Sequence, residues 1–378
     1  MFHRLGMAGP PSGLWRFFGR IFRFEAASQS FSAKMTPHIT TIIPTFRRPR
    51  LLRRAIASVL EQDYHHLQVC VYDNNSEDET KSIVHEFSKQ DARVKYYCHV
   101  ENIGSLANFI YGMSRVRTSF FSFLSDDDYL LPNFYRRAIE ALNRHPQAMF
   151  WAGMSLHVDE QGIIWDARVR RWSREGVFKP PEGFMAMTGG MAPAWTSILF
   201  RKEAIDQIGL IDIEVGGPSD LDYCLQLAAH HPYILEKYPA AVFMINSQSF
   251  SATQPMSAFW PGWKRMIGKF SDAPGLTPEF KKDAQYALQR DARKMLFRRG
   301  AHALAAGRLD FARDAAKALE ADCDEKTRSL LLRALAAGCS QSTTFQQIYT
   351  TAYRQAEKRL VNSRHDLQAT YGHLLRPN

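Results

Sequence analysis

Between Ile39 and Leu124 the sequence repeats one pattern: a short apolar run of strand type, a polar break, then apolar residues at helical spacing. Ile39-Thr40-Thr41-Ile42-Ile43 is a β-branched strand that Pro44 is expected to stop. Pro49 then starts a helix with Leu52, Ala55, Ile56, Val59 and Leu60 on one face. Leu67–Tyr72 is a second strand, ended by Asp73-Asn74-Asn75, after which Ser76 and Glu79 are spaced as a capping box for a helix carrying Ile83, Val84 and Phe87. Val94–Tyr97, the turn Asn102-Ile103-Gly104 and a helix to about Ser114 repeat the unit. Phe120–Leu124 is the fourth strand. Strands joined through helices by short links must run parallel, with helices on both faces. The expected fold class is therefore α/β, a mixed, mostly parallel, Rossmann-like sheet.

In such sheets ligands bind beyond the carboxyl ends of the strands. Thr45-Phe46, Asp73-Asn74 and Asp126-Asp127-Asp128 all fall there, so three polar strand ends are expected to share one crevice. The aspartate triplet is the most telling of them. Three adjacent carboxylates repel one another, and at the end of a buried strand that repulsion is costly unless a cation offsets it. Carboxylates without Cys or His nearby suit a hard divalent ion, Mn or Mg, with phosphate completing its shell. The alternative for the triplet alone is a solvated acidic turn.

After Phe150 the pattern becomes mixed, with short strands at Met149–Leu156, Ile163–Trp165 and Ser197–Phe200. Gly216-Gly217-Pro218 breaks the chain before a helix in which Ser219 is placed as N-cap, with Asp220 and Asp222 in the first turn. From Trp260 the strands stop and Ala-rich helical hairpins follow. Three regions result: a basic, aromatic extension over 1–34, a sheet domain over 35–255 and a helical region over 256–378. In the first, residues 14–24 interleave aromatics with arginines, as a helix lying on an anionic membrane surface would. The alternative is a functional start at Met35. No apolar run approaches the ~18 residues of a membrane span.

The net charge of +10 favours anionic partners. No zinc-finger or RNP-type signature accompanies it, so nucleic acid is not expected among them. The five scattered cysteines show no metal spacing and fit a reducing compartment, with Cys70 and Cys98 expected in the core.

Taken in order, Ile42-Ile43-Pro44-Thr45-Phe46-Arg47-Arg48, Val71-Tyr72-Asp73-Asn74-Asn75, Asn102-Ile103-Gly104, Leu124-Ser125-Asp126-Asp127-Asp128 with Pro132, and Ser219-Asp220-Leu221-Asp222 resemble the family 2 glycosyltransferases, inverting and nucleotide-sugar dependent, with the GT-A fold. The resemblance covers residues 38 to about 250 and leaves out the helical region. It implies that Phe46 stacks on the nucleobase against a wall shaped by Pro44 and Thr45, with Arg47 among the nucleotide-sugar-binding residues. It implies that Asp73 and Asn74 contact base and ribose, that Asp126 and Asp127 serve the donor, and that Asp127 and Asp128 hold the divalent cation. Asp220 matches the general base. The chain departs from the family pattern at Asn74, at Ser125 and at Ser219, where the family has acids. The implied partners are a nucleotide-sugar donor and a saccharide or lipid-linked acceptor, in cell-surface polysaccharide or glycolipid synthesis. The implied location is cytoplasmic, at the inner face of the plasma membrane if the N-terminal segment anchors there. A nucleotidyltransferase on a similar sheet would show a Gly-rich basic loop where Pro44-Thr45-Phe46 stands. A non-catalytic nucleotide-sugar-binding protein would not need Asp220.

Overall fold

The computed structural model describes residues 39–246, 254–362 and 364–376, so the basic aromatic segment 14–24 lies outside the described residues. The parallel core has strands β1 (Ile39–Thr45), β2 (Leu67–Asp73), β3 (Val94–Cys98) and β4 (Phe120–Phe123), connected through helices α1 (Pro49–Leu60), α2 (Thr80–Gln90) and α3 (Ser105–Ser114). Then come β5 (Tyr129–Leu130), α4 (Phe134–Arg144), β6 (Phe150–Asp159), β7 (Ile164–Ala167), β8 (Gly176–Phe178), α5 (Glu182–Met187), β9 (Ile198–Arg201), α6 (Glu203–Ile208), α7 (Ser219–His230) and β10 (Tyr233–Ile245). The strand order is β3-β2-β1-β4-β9-β6-β10-β5, with β7 on β6 and β8 on β10. β1, β2, β3 and β4 pair in parallel, as do β6 and β10, while β9 lies antiparallel between β4 and β6. The mixed, mostly parallel sheet is the one the alternation calls for.

Side chains alternate across the sheet, as a period of two dictates. Ile39, Ile43, Val69 and Val71 pack with Leu52 and Ile56 of α1 and Phe134 and Ala138 of α4 on one face. Ile42, Tyr72, Phe121 and Phe123 face the other way, toward Met113 of α3 and Tyr223 and Leu227 of α7. That second core continues into the helical region: α8 (Met256–Asp272), α9 (Pro278–Ala305), α10 (Leu309–Ala321), α11 (Lys326–Gln341), α12 (Thr343–Asn362) and α13 (His365–Tyr371). Trp260, Phe270, Phe280 and Leu296 belong to the same buried cluster as the sheet residues. Residues 37–378 accordingly form a single compact unit. At the junction, Lys269 of α8 bridges Asp212 and Asp222 at 3.0 and 2.6 Å, and Gly262 lies so close to Val215 that a Cβ there would overlap its carbonyl.

Four local expectations are corrected. Pro44 does not end β1: the strand runs on to Thr45, pairing Pro44 with Tyr72 of β2 after the β4 ladder has stopped at Ile42–Phe123. A proline is tolerated there because no neighbour needs its missing N–H. Ser76 and Glu79 form no capping box. α2 starts at Thr80, whose N–H is taken by Asp78 Oδ1, and Ser76 is claimed by Asp73 instead. Ser219 is not an N-cap: Pro218 holds that position and Ser219 is the first helical residue. Cys70 is buried as expected, but Cys98 is exposed on the outermost strand β3. All five cysteines are free thiols. Among the described residues no helix is long and apolar enough to cross a membrane.

Candidate active site

The loops leaving β1, β2 and β4 meet at the carboxyl edge of the sheet. They surround a cavity of about 420 Å³ lined by Pro44, Thr45, Phe46, Arg48, Asn74, Asp126 and Asp127, with Asn102, Asn108 and Phe109 from the start of α3. The backbone is unusual where it turns. Arg47, Asn75 and Glu77 all take positive φ, +56°, +64° and +55°, conformations that non-glycine residues adopt at a cost and that cluster at functional sites. Contacts between the two loops hold these turns: Arg47 N–H donates to Ser76 Oγ at 2.9 Å, and Arg47 Nε to Ser76 O at 3.3 Å.

Asp73 is the keystone beneath this loop pair. It is 2% exposed, with Oδ1 accepting from Ser76 N and Oγ and Oδ2 accepting from Tyr96 Oη at 2.6 Å. The structure thus places Asp73 behind the cavity wall, while Asn74 lines it. Asn74 Nδ2 donates to Asn102 Oδ1 at 2.7 Å and its Oδ1 accepts from Ile103 N–H at 2.9 Å. Only an amide can do both, since a carboxylate has no donor. That requirement accounts for an asparagine where the family has an acid. Phe46 stands 36% exposed at the cavity rim, with the Arg47 guanidinium 5.0 Å over its ring. Arg47 itself is not among the lining residues.

Arg48, which the sequence does not single out, reaches into the acidic turn. Its Nη1 donates to Asp127 Oδ2 at 2.9 Å and to Asp126 Oδ1 at 3.3 Å, while Thr45 Oγ1 donates to Asp126 Oδ2 at 2.9 Å. Arg54 donates to the Asp127 carbonyl at 2.7 Å. Asp128 Oδ1 accepts from Met244 N–H of β10 at 2.8 Å. The guanidiniums of Arg48 and Arg54 together do not balance three buried carboxylates. Burial, then the Asp127 charge, pushes Asp126 up to about 6 against the pull of Arg48. Burial likewise raises Asp127, and burial with Asp127 beside it holds Asp128 well above the ordinary carboxylate range. Arg48 shows the converse: burial opposes its charge, but Asp126 and Asp127 outweigh that and raise its pKa.

Among the described residues no three His, Cys, Asp or Glu side chains converge as a preformed metal cage. The donor set still fits a hard cation. Asp127 and Asp128 are adjacent, acidic, undercompensated and oxygen-only, and Mg-type ions are held by one or two carboxylates plus substrate phosphates.

Asp128 also lines a smaller cavity of about 150 Å³, bounded by Phe123, Trp195, Gly217 and Asp220 and sharing Ser105, Phe109, Ser125 and Phe243 with the larger one. Trp195 is the second residue that sequence reasoning misses. Its ring stacks on Phe123 at 4.5 Å, and its Nε1 donates to the Asp220 carbonyl at 3.0 Å. It thereby fixes the first turn of α7 against the end of β4. The Asp220 side chain accepts from Leu221 N–H at 2.7 Å and remains open to solvent within the crevice. Protein crowds it on the other sides, and this confinement raises its pKa, opposed by the Leu221 N–H and by Arg168. A carboxylate with a raised pKa in a cleft has the properties of a proton acceptor.

The fold is of GT-A type, and known proteins agree on that fold. Residues 40–209 match the family model described as glycosyl transferase family 2. A Campylobacter jejuni relative, the GalNAc(5)-diNAcBac-PP-undecaprenol beta-1,3-glucosyltransferase, is 41% identical over 96 residues, which is 25% of this chain and 31% of the relative. An uncharacterized glycosyltransferase of Rickettsia typhi is 30% identical over 191 residues, 50% of this chain and 57% of the relative. The chain thus spans less than two thirds of the length of these curated relatives. In fold, it is similar to the crystal structure of S. aureus TarS 1-349 in complex with UDP-GlcNAc. The TM-score is 0.59 at 12% identity, covering 84% of this chain and 92% of that one.

Proposed function

We propose that this protein is an inverting glycosyltransferase that moves a sugar from a nucleotide-sugar donor to an acceptor hydroxyl. The observation that carries the reading is the convergence of three strand-end motifs and Asp220 around two cavities with shared walls. The donor occupies the larger one. Phe46 offers its face to the nucleobase, Asn74 and the Asn102–Gly104 turn close the base and ribose end, and Asp126 and Asp127, steadied by Thr45 and Arg48, face the ribose and diphosphate. Asp73 supports that wall from behind. A divalent cation held by Asp127 and Asp128, Mn or Mg, would neutralise the diphosphate as it leaves. Asp220 takes the proton from the acceptor hydroxyl as it attacks the anomeric carbon from the side opposite the diphosphate, so the configuration inverts in one step. The leaving group is already good, and a second acid is not needed.

Two of the relatives extend the proposal. One acts on an undecaprenol diphosphate-linked saccharide and the TarS structure holds UDP-GlcNAc, which favours a uridine-type donor, a lipid-linked or saccharide acceptor and a role in surface glycan synthesis at a cytoplasmic membrane face. The test is a thermal-shift screen of nucleotide sugars and free UDP and GDP with and without Mn. A ligand at 100 times its Kd stabilises by about 2.7 kcal/mol, well within detection. Absence of any nucleotide-dependent, Mn-enhanced shift would sink the reading.

A further inference from the structure

The acidic turn Asp126–Asp128 leads directly into β5, which is two residues long and ends the sheet, paired to β10 through Tyr129–Val242 and Leu130–Ala241. So short an edge strand has little ladder of its own to hold a turn in place. Contacts from outside the ladder supply the rest. Ser58 Oγ accepts from Leu130 N–H at 3.0 Å, and Gln62 donates to the Leu131 carbonyl at 2.9 Å. A further contact comes from the other end of the fold, from residues 364–376.

That segment is anchored first at β7. Ile164 N–H donates to Gln368 Oε1 at 3.0 Å, Arg364 Nη1 donates to the Trp165 carbonyl at 2.6 Å, and Arg170 pairs with Asp366 at 2.6 Å. Leu367 of α13 is buried in the second core. Arg364 also lies 3.5 Å from Asp166, which meets Arg168. Arg168 lines a further cavity of about 440 Å³ on the far side of Asp220. This cavity shares Gly217, Asp220 and Phe243 with the small one and takes Phe259 and Trp263 of α8 and Leu288 and Met295 of α9 into its wall. The second anchor is β5. Arg376 N–H donates to Tyr129 Oη at 3.1 Å, its guanidinium stands 5.8 Å from the centre of the Tyr129 ring, and its Nη2 pairs with Glu61 at 2.7 Å. β7 flanks β6 and β5 flanks β10, so the two anchors lie on opposite sides of the β6–β10 pair.

Tyr129 is 2% exposed, so its hydroxyl has to find a partner inside the protein, and Arg376 N–H provides it. The same ring carries the Arg54 guanidinium at 4.8 Å, and Arg54 donates to the Asp127 carbonyl. A continuous path of contacts thus runs from Arg376 through Tyr129 and Arg54 to the acidic turn. A displaced phenol shifts β5, and with it the spacing of the two carboxylates proposed to share a cation. We propose that residues 364–376 act as a strap that fixes the acidic turn, with Tyr129 and Arg376 as positioning residues for Asp127 and Asp128. The effect on donor binding rests on the glycosyltransferase reading, whereas the mechanical effect on the turn does not.

The test uses the full chain. Arg376→Pro removes the N–H and the guanidinium together, and Leu375 already has the extended backbone (φ −75°, ψ 139°) that a residue before proline adopts. Tyr129→Phe removes the hydroxyl and keeps the ring. Arg53→Gln, which breaks an exposed pair with Glu86 on the outer side of α1, is the control. Amide hydrogen exchange is measured first, without nucleotide or metal. Residues 127–131 are expected to exchange about fivefold faster in both strap variants, the size of one lost hydrogen bond, and at the wild-type rate in the control. UDP binding is then measured by calorimetry with and without Mn. Both strap variants should lose about three- to tenfold of the Mn-dependent gain in UDP affinity and keep the metal-free affinity, a split that a general loss of stability would not produce. Wild-type exchange over residues 127–131 in the strap variants overturns the strap, and if one variant does not fold the other decides. Faster exchange with an unchanged Mn-dependent gain overturns the positioning of Asp127 and Asp128. If the wild-type protein binds no UDP with or without Mn, the glycosyltransferase reading falls, and hydrogen exchange alone decides the strap.

Discussion

The two larger cavities on either side of Asp220 are built on opposite plans. On the donor side the polar groups are held in fixed pairs, although the three aspartates keep an excess of negative charge: Arg48 spans Asp126 and Asp127, Asp73 is closed by Ser76 and Tyr96, and Asn74 holds Asn102. Its walls are strand ends and short loops from one continuous stretch of parallel sheet. On the other side Arg168 is met by Asp166 and lies near Asp220, and much of the wall is assembled from helices that follow the sheet domain in sequence. The difference sets a cavity built from strand ends beside one walled largely by helices.

The largest break in this comparison comes from Asp220, which lines the small cavity adjoining the donor side and also the cavity beyond it. Asp220→Asn keeps the acceptor of the Leu221 N–H but cannot take a proton. Turnover measured with saturating donor is expected to fall about 10²–10⁴-fold, while UDP affinity stays unchanged. Wild-type turnover in this variant would remove Asp220 as base. Because confinement raises its pKa above the ordinary 3.8, the wild-type rate should be full at neutral pH and fall as pH drops through that raised value, displaced upward from an ordinary carboxylate. Asp222 is not an innocent control, since its carboxylate holds Lys269 across the α7–α8 junction.

Next is Asp127→Asn, which touches the donor side alone. It removes a cation ligand and half of the charge balance of Arg48, and the Mn-dependent gain in UDP affinity should shrink about 10–100-fold, the scale of a lost charged contact. A Mn dependence like that of the wild type would shift the metal to Asp126 or Asp128. Gly262→Ala probes the helical wall. A methyl group pressed into the Val215 carbonyl is expected to cost about 1–3 kcal/mol in denaturant unfolding and to lower acceptor-dependent turnover more than UDP affinity. Loss of both together would mean that the two cavities are not separately built. The smallest effect is that of Asn74→Asp, which sets two acceptors face to face at Asn102. About 1 kcal/mol of stability and a modest part of the UDP affinity should go. Tighter UDP binding after Asn74→Asp would show that the donor, not Asn102, decides this position.

The parallel half of the fold was legible because its strands are unbroken β-branched or aromatic runs and its helices have single apolar faces. The 13-residue β10 was not, although it is the longest strand. Glu236-Lys237-Tyr238-Pro239 interrupts its pattern, and the pairing with β6 shifts register on both sides of Pro239. β5, two residues long, offers no period to read. In the site, motif order brought out Phe46, Asn74, the aspartates and Asp220. It could not distinguish Asp73 behind the wall from Asn74 on it, since both end the same strand. Arg48 carried a weak signal as a second arginine after the first strand. Trp195 carried none: its role depends on Phe123 and Asp220, which meet it only in three dimensions.

Phe243 of β10 lines all three cavities at the site, stacks on His157 at 4.7 Å, and precedes Met244, whose N–H holds Asp128. A side chain shared in this way cannot be retuned for one substrate without disturbing the other. Variation at this strand is therefore penalised twice, whereas among the three cavities α8 and α9 line only the one beyond Asp220. Among related chains, changes in these helices should reshape that cavity alone, with Phe243 held constant as the partition common to all three.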